Sequence, residues 1–200
     1  MMRQLSGVLR ALVAIAFVGS TAAAQGSTKA PTREGFWVGF GLGAGSAGLS
    51  CDGCEVDRSN GFSGSLRMGG TVTPNLLVGG ETNGWVKSED DVDEQVGFLT
   101  ANAYYYPQAS GGFFLKGGLG LATSSMEGDD GFGGYAKLES IGFGVQLGAG
   151  YDIRVSRNLS LTPYANYLRA FSAEAKFNGS SLGENLNPNL FQAGVGLTWH

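Results

Sequence analysis

The sequence predicts an all-β fold, an eight-stranded antiparallel up-and-down transmembrane β-barrel, and three observations predict it. Beyond the first 24 residues the chain breaks into eight segments in which apolar residues alternate with small or polar ones at period two, the pattern of strands with one apolar face. Glycine supplies 35 of 200 residues, more than twice the usual share of about 7%, yet there is no G-X-Y period and only 5 prolines, which excludes collagen and simple linkers. Hydrophobic residues make up 42% and the mean hydropathy is +0.00, too polar for a helical membrane protein and too apolar for a disordered chain.

The first 24 residues have the form of a signal peptide: a basic start with Arg3 and Arg10, a short apolar stretch ALVAIAFVG, then STAAAQ. Small residues at Ala22 and Ala24 place cleavage before Gln25. The apolar stretch is too short for a membrane-spanning helix, and nothing downstream approaches the roughly 18 uninterrupted apolar residues such a helix needs. A mature chain that enters a membrane therefore enters as strands. Residues 25–34, polar and containing Pro31, form a periplasmic lead-in, and residues 35–200 form the barrel, a single domain.

The strands follow in order. The first sets Phe36, Val38, Phe40, Leu42 and Ala44 against Trp37 and four glycines. The second sets Phe62, Leu66, Met68 and Val72 against Ser63, Ser65, Arg67 and Thr71. The third sets Leu76, Val78 and Val86 against Leu77, Glu81, Asn83 and Trp85. In the fourth, Leu99, Ala101, Ala103 and Tyr105 oppose Phe98, Thr100, Asn102 and Tyr104. In the fifth, Phe113, Leu115, Leu119 and Leu121 oppose Phe114 and Lys116. The sixth is the clearest, with Phe143, Val145, Leu147, Ala149, Tyr151 and Ile153 against Gln146, Asp152, Arg154 and three glycines. It exceeds the roughly 9 to 11 residues a tilted strand needs to cross a membrane. The seventh sets Leu159, Leu161, Ala165 and Tyr167 against Ser160, Thr162, Tyr164 and Asn166. The eighth sets Phe191, Ala193, Val195, Leu197 and Trp199 against Gln192 and Thr198. In each strand the first set faces lipid and the second faces the lumen.

Connections alternate in length. Residues 73–75, 107–112 and 156–158 are tight, and residues 50–60, 87–94, 125–140 and 172–188 are long. Short periplasmic turns with longer extracellular loops are the asymmetry of an outer-membrane barrel. Tyr105, Phe113, Tyr151 and Trp199 fall on the outward face near the short-turn end, where an interfacial aromatic girdle belongs. Pro163 lies inside the seventh segment and cannot donate to a ladder, so it requires a bulge or a position whose N–H goes unpaired.

The segment GYDIRVSRNLSLTPYANYLRAF, residues 150–171, resembles the penultimate hairpin of the bacterial outer-membrane β-barrel domain family, the small barrels of OmpA and OmpX type. LTANAYYYP, residues 99–107, is a second stretch of that kind, and the resemblance extends loosely over residues 35–199. It implies a Gram-negative outer-membrane location. It is nearly silent on role, because the family includes structural anchors, surface adhesins and defence factors. Members usually end on an aromatic residue read by the barrel-assembly machinery, whereas this chain has Trp199 followed by His200.

An eight-stranded barrel has a lumen just wide enough to be filled by side chains, and the inward glycines leave space for Trp37, Trp85, Phe98, Tyr104, Phe114 and Tyr164. A three-residue loop centred on Pro74 makes Arg67 and Glu81 equidistant from the turn and opposite each other, which predicts an internal salt bridge that plugs the barrel. Lys116, Asp152 and Arg154 are further lumen charges. Serine or metal hydrolases need histidine, and the only one is His200, so no Ser-His dyad fits the barrel wall. Cys51 and Cys54, in CDGC, read as a local disulfide in an oxidising compartment, since the redox and zinc alternatives lack a second pair. SEDDVDE, residues 88–94, carries five carboxylates, with Glu127, Asp129 and Asp130 in the next loop. These read as a solvated acidic surface, or alternatively as a loose site for divalent cations that bridge to lipopolysaccharide phosphates.

The formal net charge of -4 leaves no basic patch for nucleic acid. The expectation is a non-enzymatic monomer without cofactor in the outer membrane, stabilising it and displaying surface loops for adhesion or contact with a host or environment. Its partners are outer-membrane lipids, lipopolysaccharide and the barrel-assembly machinery. A narrow, porin-like pore for ions or small solutes is the alternative, and a soluble lipid-binding barrel is a third reading.

Overall fold

The computed structural model describes residues 33–51, 54–55, 57–89, 92–129 and 135–200. The signal peptide and most of the lead-in lie outside the described residues. Eight long strands form the wall: β1 Phe36–Cys51, β2 Ser59–Thr73, β3 Leu76–Glu89, β4 Val92–Tyr105, β5 Phe113–Asp129, β6 Tyr135–Tyr151, β7 Leu159–Phe177 and β8 Asn187–Trp199. Each pairs antiparallel with the next, and β8 returns to pair with β1, so the sheet closes and no long edge is left for aggregation. Following partners once around the wall, Val38 leads through Met68, Gly80, Ala101, Leu119, Val145, Arg169 and Asn189 back to Gly48 on β1. That return ten residues farther along the same strand is the stagger that tilts the strands, by roughly 35–45° in such barrels.

Alternation then fixes what faces where. Trp37, Trp85, Phe98, Tyr104 and Phe114 are fully buried inside, while Phe40, Leu66, Leu99, Leu121, Phe143 and Leu147 project outward. This apolar exterior is stable only against lipid. Tyr105, Phe113, Tyr151 and Trp199 all project from the outer face at the end of the short turns.

Four local features depart from the alternation or from its expected connections. The turn after β2 is two residues, Pro74 and Asn75, with Thr73 opposite Leu76; a one-residue bulge between Thr71 and Thr73 then restores the register that a three-residue loop would give, so Arg67 still faces Glu81. A second bulge lies where β6 meets β7, between the pairs Ile141–Glu174 and Phe143–Phe171. Ser172 there has φ 50°, and the inward positions shift from Ala170 to Ala173. Pro163 sits in no bulge. It keeps its partner Val195 on β8, while the β6–β7 ladder breaks between Gly150–Tyr164 and Ile153–Leu161. The missing N–H of Pro163 falls in that break.

The long loops expected at the other end are a correction. Residues 87–94 are mostly strand, since β3 runs to Glu89 and β4 resumes at Val92, and residues 125–140 are mostly strand as well. Short strands Cys54–Glu55 and Ser180–Asn185 extend the remaining two. Antiparallel pairing continues past the membrane because nothing in those segments breaks it. The 17-residue β5 and β6 would be about 55 Å long at the usual rise, far beyond a band about 25 Å tall. Among the described residues, the extracellular end is therefore paired strand rather than irregular loop.

Candidate functional site in the barrel lumen

Inward side chains stack in three layers. Toward the extracellular end Trp85, Val96, Phe98, Leu168 and Leu190 form an apolar cluster with four alanines. Toward the short-turn end Trp37, Leu77, Tyr104, Tyr106 and Phe114 form a second, joined by edge contacts of Tyr104 with Trp37 at 4.9 Å and with Phe114 at 5.9 Å. Between them lies a polar belt. Glycine makes the upper cluster fit. A Cβ on Gly45 or Gly61 would stand 2.8 Å from the Trp85 ring, and Trp85 Nε1 donates to the Gly45 carbonyl at 3.0 Å.

Glu81 organises the belt. Its carboxylate accepts from Lys116 Nζ at 2.6 and 2.7 Å, Tyr104 OH at 2.5 Å and Gln146 Nε2 at 3.0 Å. The ion pair buries both side chains, with exposures of 1% and 0%. Gln146 Oε1 in turn accepts from Thr100, Asn102 and Asn83. These donors come from β3 to β6, so the network ties four adjacent strands.

The expected Arg67–Glu81 salt bridge is corrected here. The register sets the two opposite each other, but Glu81 pairs with Lys116 and Arg67 Nη2 donates to Thr198 Oγ1 at 2.6 Å. In a narrow closed barrel, inward side chains from non-adjacent strands converge on the axis, so a partner two strands away competes with the ladder neighbour. Arg67 instead turns toward β1 and β8, where Gly39 leaves room: a Cβ there would lie 2.8 Å from Arg67 Nε.

From Arg67 the hydrogen bonds run down to the short-turn mouth. Thr198 meets Thr162 at 2.9 Å, and Thr162 donates to Asp152 at 2.8 Å. Asp152 also accepts from Tyr106 OH at 2.8 Å. Two cationic groups approach Asp152 from the ends of the described chain, Arg33 at 3.7 Å and His200 at 3.5 Å, where histidine counts only when protonated. Arg33 lies over the Tyr106 ring at 3.5 Å and donates to the carbonyls of Ala109 and Gly111. Arg154 sits at the rim and donates to the Arg157 carbonyl at 3.0 Å.

Sequence reasoning missed Arg33, Tyr106 and His200. Tyr106 was within reach, since it continues the inward parity of Phe98, Thr100, Asn102 and Tyr104 past the apparent strand end. Arg33 belongs to the polar lead-in of residues 25–34, yet it is buried against the lumen mouth.

Other residues singled out from the sequence fall away from the lumen. The backbones of Cys51 and Cys54 pair directly across a hairpin, and their side chains lie outside what is described. Asp90, Asp91 and Asp130 lie outside the described residues. Glu89 pairs with Lys87 at 2.5 Å and Glu127 with Lys137 at 3.1 Å on the extracellular hairpins. Among the described residues no group of three or more His, Cys, Asp or Glu is placed to hold a metal ion.

Comparison with known proteins places this architecture. Residues 11–198 match the family described as outer membrane protein beta-barrel domain. The chain belongs to that family. Its location is accordingly the outer membrane. It is similar in fold to Ail, the attachment invasion locus protein of Yersinia pestis, with TM-score 0.59, 16% identity, and 83% of this chain and 99% of that one covered. Neisserial surface protein A (NspA) aligns with TM-score 0.53 at 19% identity over 82% of this chain and 96% of its own. OprG from Pseudomonas aeruginosa aligns with TM-score 0.51 at 15% identity over 86% and 99%. The sequence matches no curated protein.

Proposed function

We propose that this protein is a non-conducting, non-enzymatic anchor in the outer membrane that presents strand-built hairpins to the surroundings for adhesion or contact with a host surface. The observation that carries the reading is the filling of the lumen. Two apolar layers bracket a hydrogen-bonded belt, and the recess over Trp85 at the extracellular mouth holds only about 50 Å³. With the interior occupied, the surface available for contact is the extracellular set of hairpins, which extend well beyond the membrane. The likeness in fold to Ail, an attachment invasion locus protein, supports contact as the role.

In this reading residues 1–24 are removed on export, with cleavage before Gln25. The chain works as a monomer, and it meets the assembly machinery, membrane lipids and lipopolysaccharide as its partners. Cys51 and Cys54 would form a disulfide that closes the first hairpin.

The test is adhesion of bacteria expressing the protein to a matrix-coated surface. Replacing residues 178–186 by a two-residue turn removes one hairpin. Adhesion should fall while the variant remains in the outer-membrane fraction with heat-modifiable gel mobility. Unchanged adhesion after shortening every hairpin in turn would overturn the contact role.

A further inference from the structure

Two arginines, Arg58 and Arg169, stand on one side of the outer wall at a level that the aromatic residues define. Along β6 and β8, Phe143 and Phe191 stand eight residues from Tyr151 and Trp199, all projecting outward. At a rise of about 3.3 Å per residue and a tilt of 35–45°, these aromatic levels lie about 20 Å apart along the axis. That separation is close to the height of the apolar band of about 25 Å, so the upper level marks the outer-leaflet boundary between acyl chains and headgroups. Phe62 and Phe171 also project outward near it.

Arg169 lies on β7 between Tyr167 and Phe171 and is exposed on the outer face with them. Its guanidinium rests 5.4 Å from the centre of the Phe171 ring. The ladder partner of Arg169 on β8 is Asn189, and the partner of Asn189 on β1 is Gly48. Since Ala47 pairs with Ser59, Arg58, the residue before β2, falls beside Gly48 and completes the row. Arg58 is laid along that row: Nε donates to Ser46 Oγ at 3.1 Å, Nη2 to the Ser46 carbonyl and Nη1 to Asn189 Oδ1. Gly48 makes the room, since a Cβ there would stand 3.3 Å from Arg58 Cγ and 3.4 Å from Asn189 Nδ2.

The partners of Arg58 are all neutral. They hold its guanidinium against the wall without compensating its charge, and they use three of its five N–H groups. Among the described residues neither arginine forms an ion pair. The carboxylates that adjoin in sequence or register face elsewhere or stand higher. Asp57 lines the recess over Trp85, Glu174 lines the groove on the β5–β6 side with Glu139 and Lys176, and Glu55 is paired opposite Ser50 at the top of β1. An uncompensated cation is unfavourable against acyl chains and is stabilised by an anion. At this depth the anions of a membrane are headgroup phosphates, whose oxygens the guanidinium fork matches in bidentate fashion.

We infer that Arg58 and Arg169 bind the phosphate of an outer-leaflet lipid headgroup, with Asn189 Nδ2 between them as a further donor. The lipid's acyl chains lie below, against the apolar wall of β7, β8 and β1. The inference rests on the reading of the chain as an outer-membrane anchor and adds a specific lipid site to it.

The experiment is native mass spectrometry of the full chain folded in detergent. It is titrated with an acylated diglucosamine glycolipid in phosphorylated and dephosphorylated forms, and the phosphorylated form is then challenged with equimolar inorganic phosphate. The expected result is a discrete one-to-one complex with the phosphorylated form, weakened about tenfold or more in Arg169→Gln and in Arg58→Gln. Arg169→Lys, which keeps the charge, should recover part of that loss. Lys137→Gln removes the same charge from the extracellular hairpin of β5 and β6, where Lys137 pairs with Glu127 and Glu139, and should leave the complex unchanged. Heat-modifiable mobility shows that each variant is folded. Equal retention of the dephosphorylated form, equal weakening by Lys137→Gln, or no discrete complex would overturn the site, and displacement by equimolar inorganic phosphate would overturn the lipid as its occupant. Those failures leave the anchor reading standing, since adhesion is measured without the glycolipid.

Discussion

Among the described residues two carboxylates are buried in the lumen, Glu81 and Asp152, and they are held differently. Glu81 sits at mid-barrel with a lysine at 2.6 Å and two neutral donors, all from the three strands that follow its own in the wall. Asp152 sits at the short-turn mouth, held at 2.8 Å by the neutral donors Tyr106 and Thr162, with its cationic groups farther off at 3.5 and 3.7 Å on His200 and Arg33. The central carboxylate is thus neutralised by the barrel itself, and the mouth carboxylate gathers the ends of the described chain around it. Depth accounts for the contrast. A charge deep in the lumen has no access to water and requires a close counter-charge, whereas one near the mouth tolerates looser partners that also close the opening.

The comparison can be broken by mutation, beginning with the central carboxylate. Glu81→Ala leaves Lys116 buried without a counter-ion and should cost about 3 to 5 kcal/mol of stability, read as a lower urea midpoint for unfolding in lipid vesicles. Removing Lys116 as well should restore part of that loss, because the second uncompensated charge is gone. Strictly additive losses would mean that the pair is not coupled. Asp152→Ala strands hydrogen-bond donors at the mouth rather than a tightly paired charge, so a smaller loss of about 1 to 3 kcal/mol is expected. A loss equal to that of Glu81→Ala would erase the distinction between depth and mouth. Truncating His200 to alanine should change stability by about 1 kcal/mol or less, since its contact with Asp152 at 3.5 Å is long for a hydrogen bond.

The strand pattern was legible because burial on one side only leaves a period-two signature that turns and bulges interrupt but do not erase. Every inward and outward set read from alternation recurs in the wall, and even the register that places Arg67 opposite Glu81 emerged, although the turn behind it is a two-residue turn with a bulge. The choice of partner did not emerge, because alternation describes ladder neighbours and a closed lumen brings Lys116 from two strands away. The extracellular hairpins read as loops, since polar residues on both faces of a strand outside the membrane carry no alternation to detect. Of the cluster around Asp152, Arg33 and His200 lie on either side of the strands, which periodicity does not reach, whereas Tyr106 continues the inward parity of β4 one step past its end.

An anchor of this kind requires that side chains close the lumen along its length. Single-channel recording of the purified, folded chain in a planar bilayer tests it most directly, with folding confirmed beforehand by faster migration of the unheated protein. A closed lumen predicts a silent bilayer, for the wild type and for Arg67→Ala alike. Discrete unitary openings whose size changes in Arg67→Ala would contradict it and make the polar belt the lining of a pore.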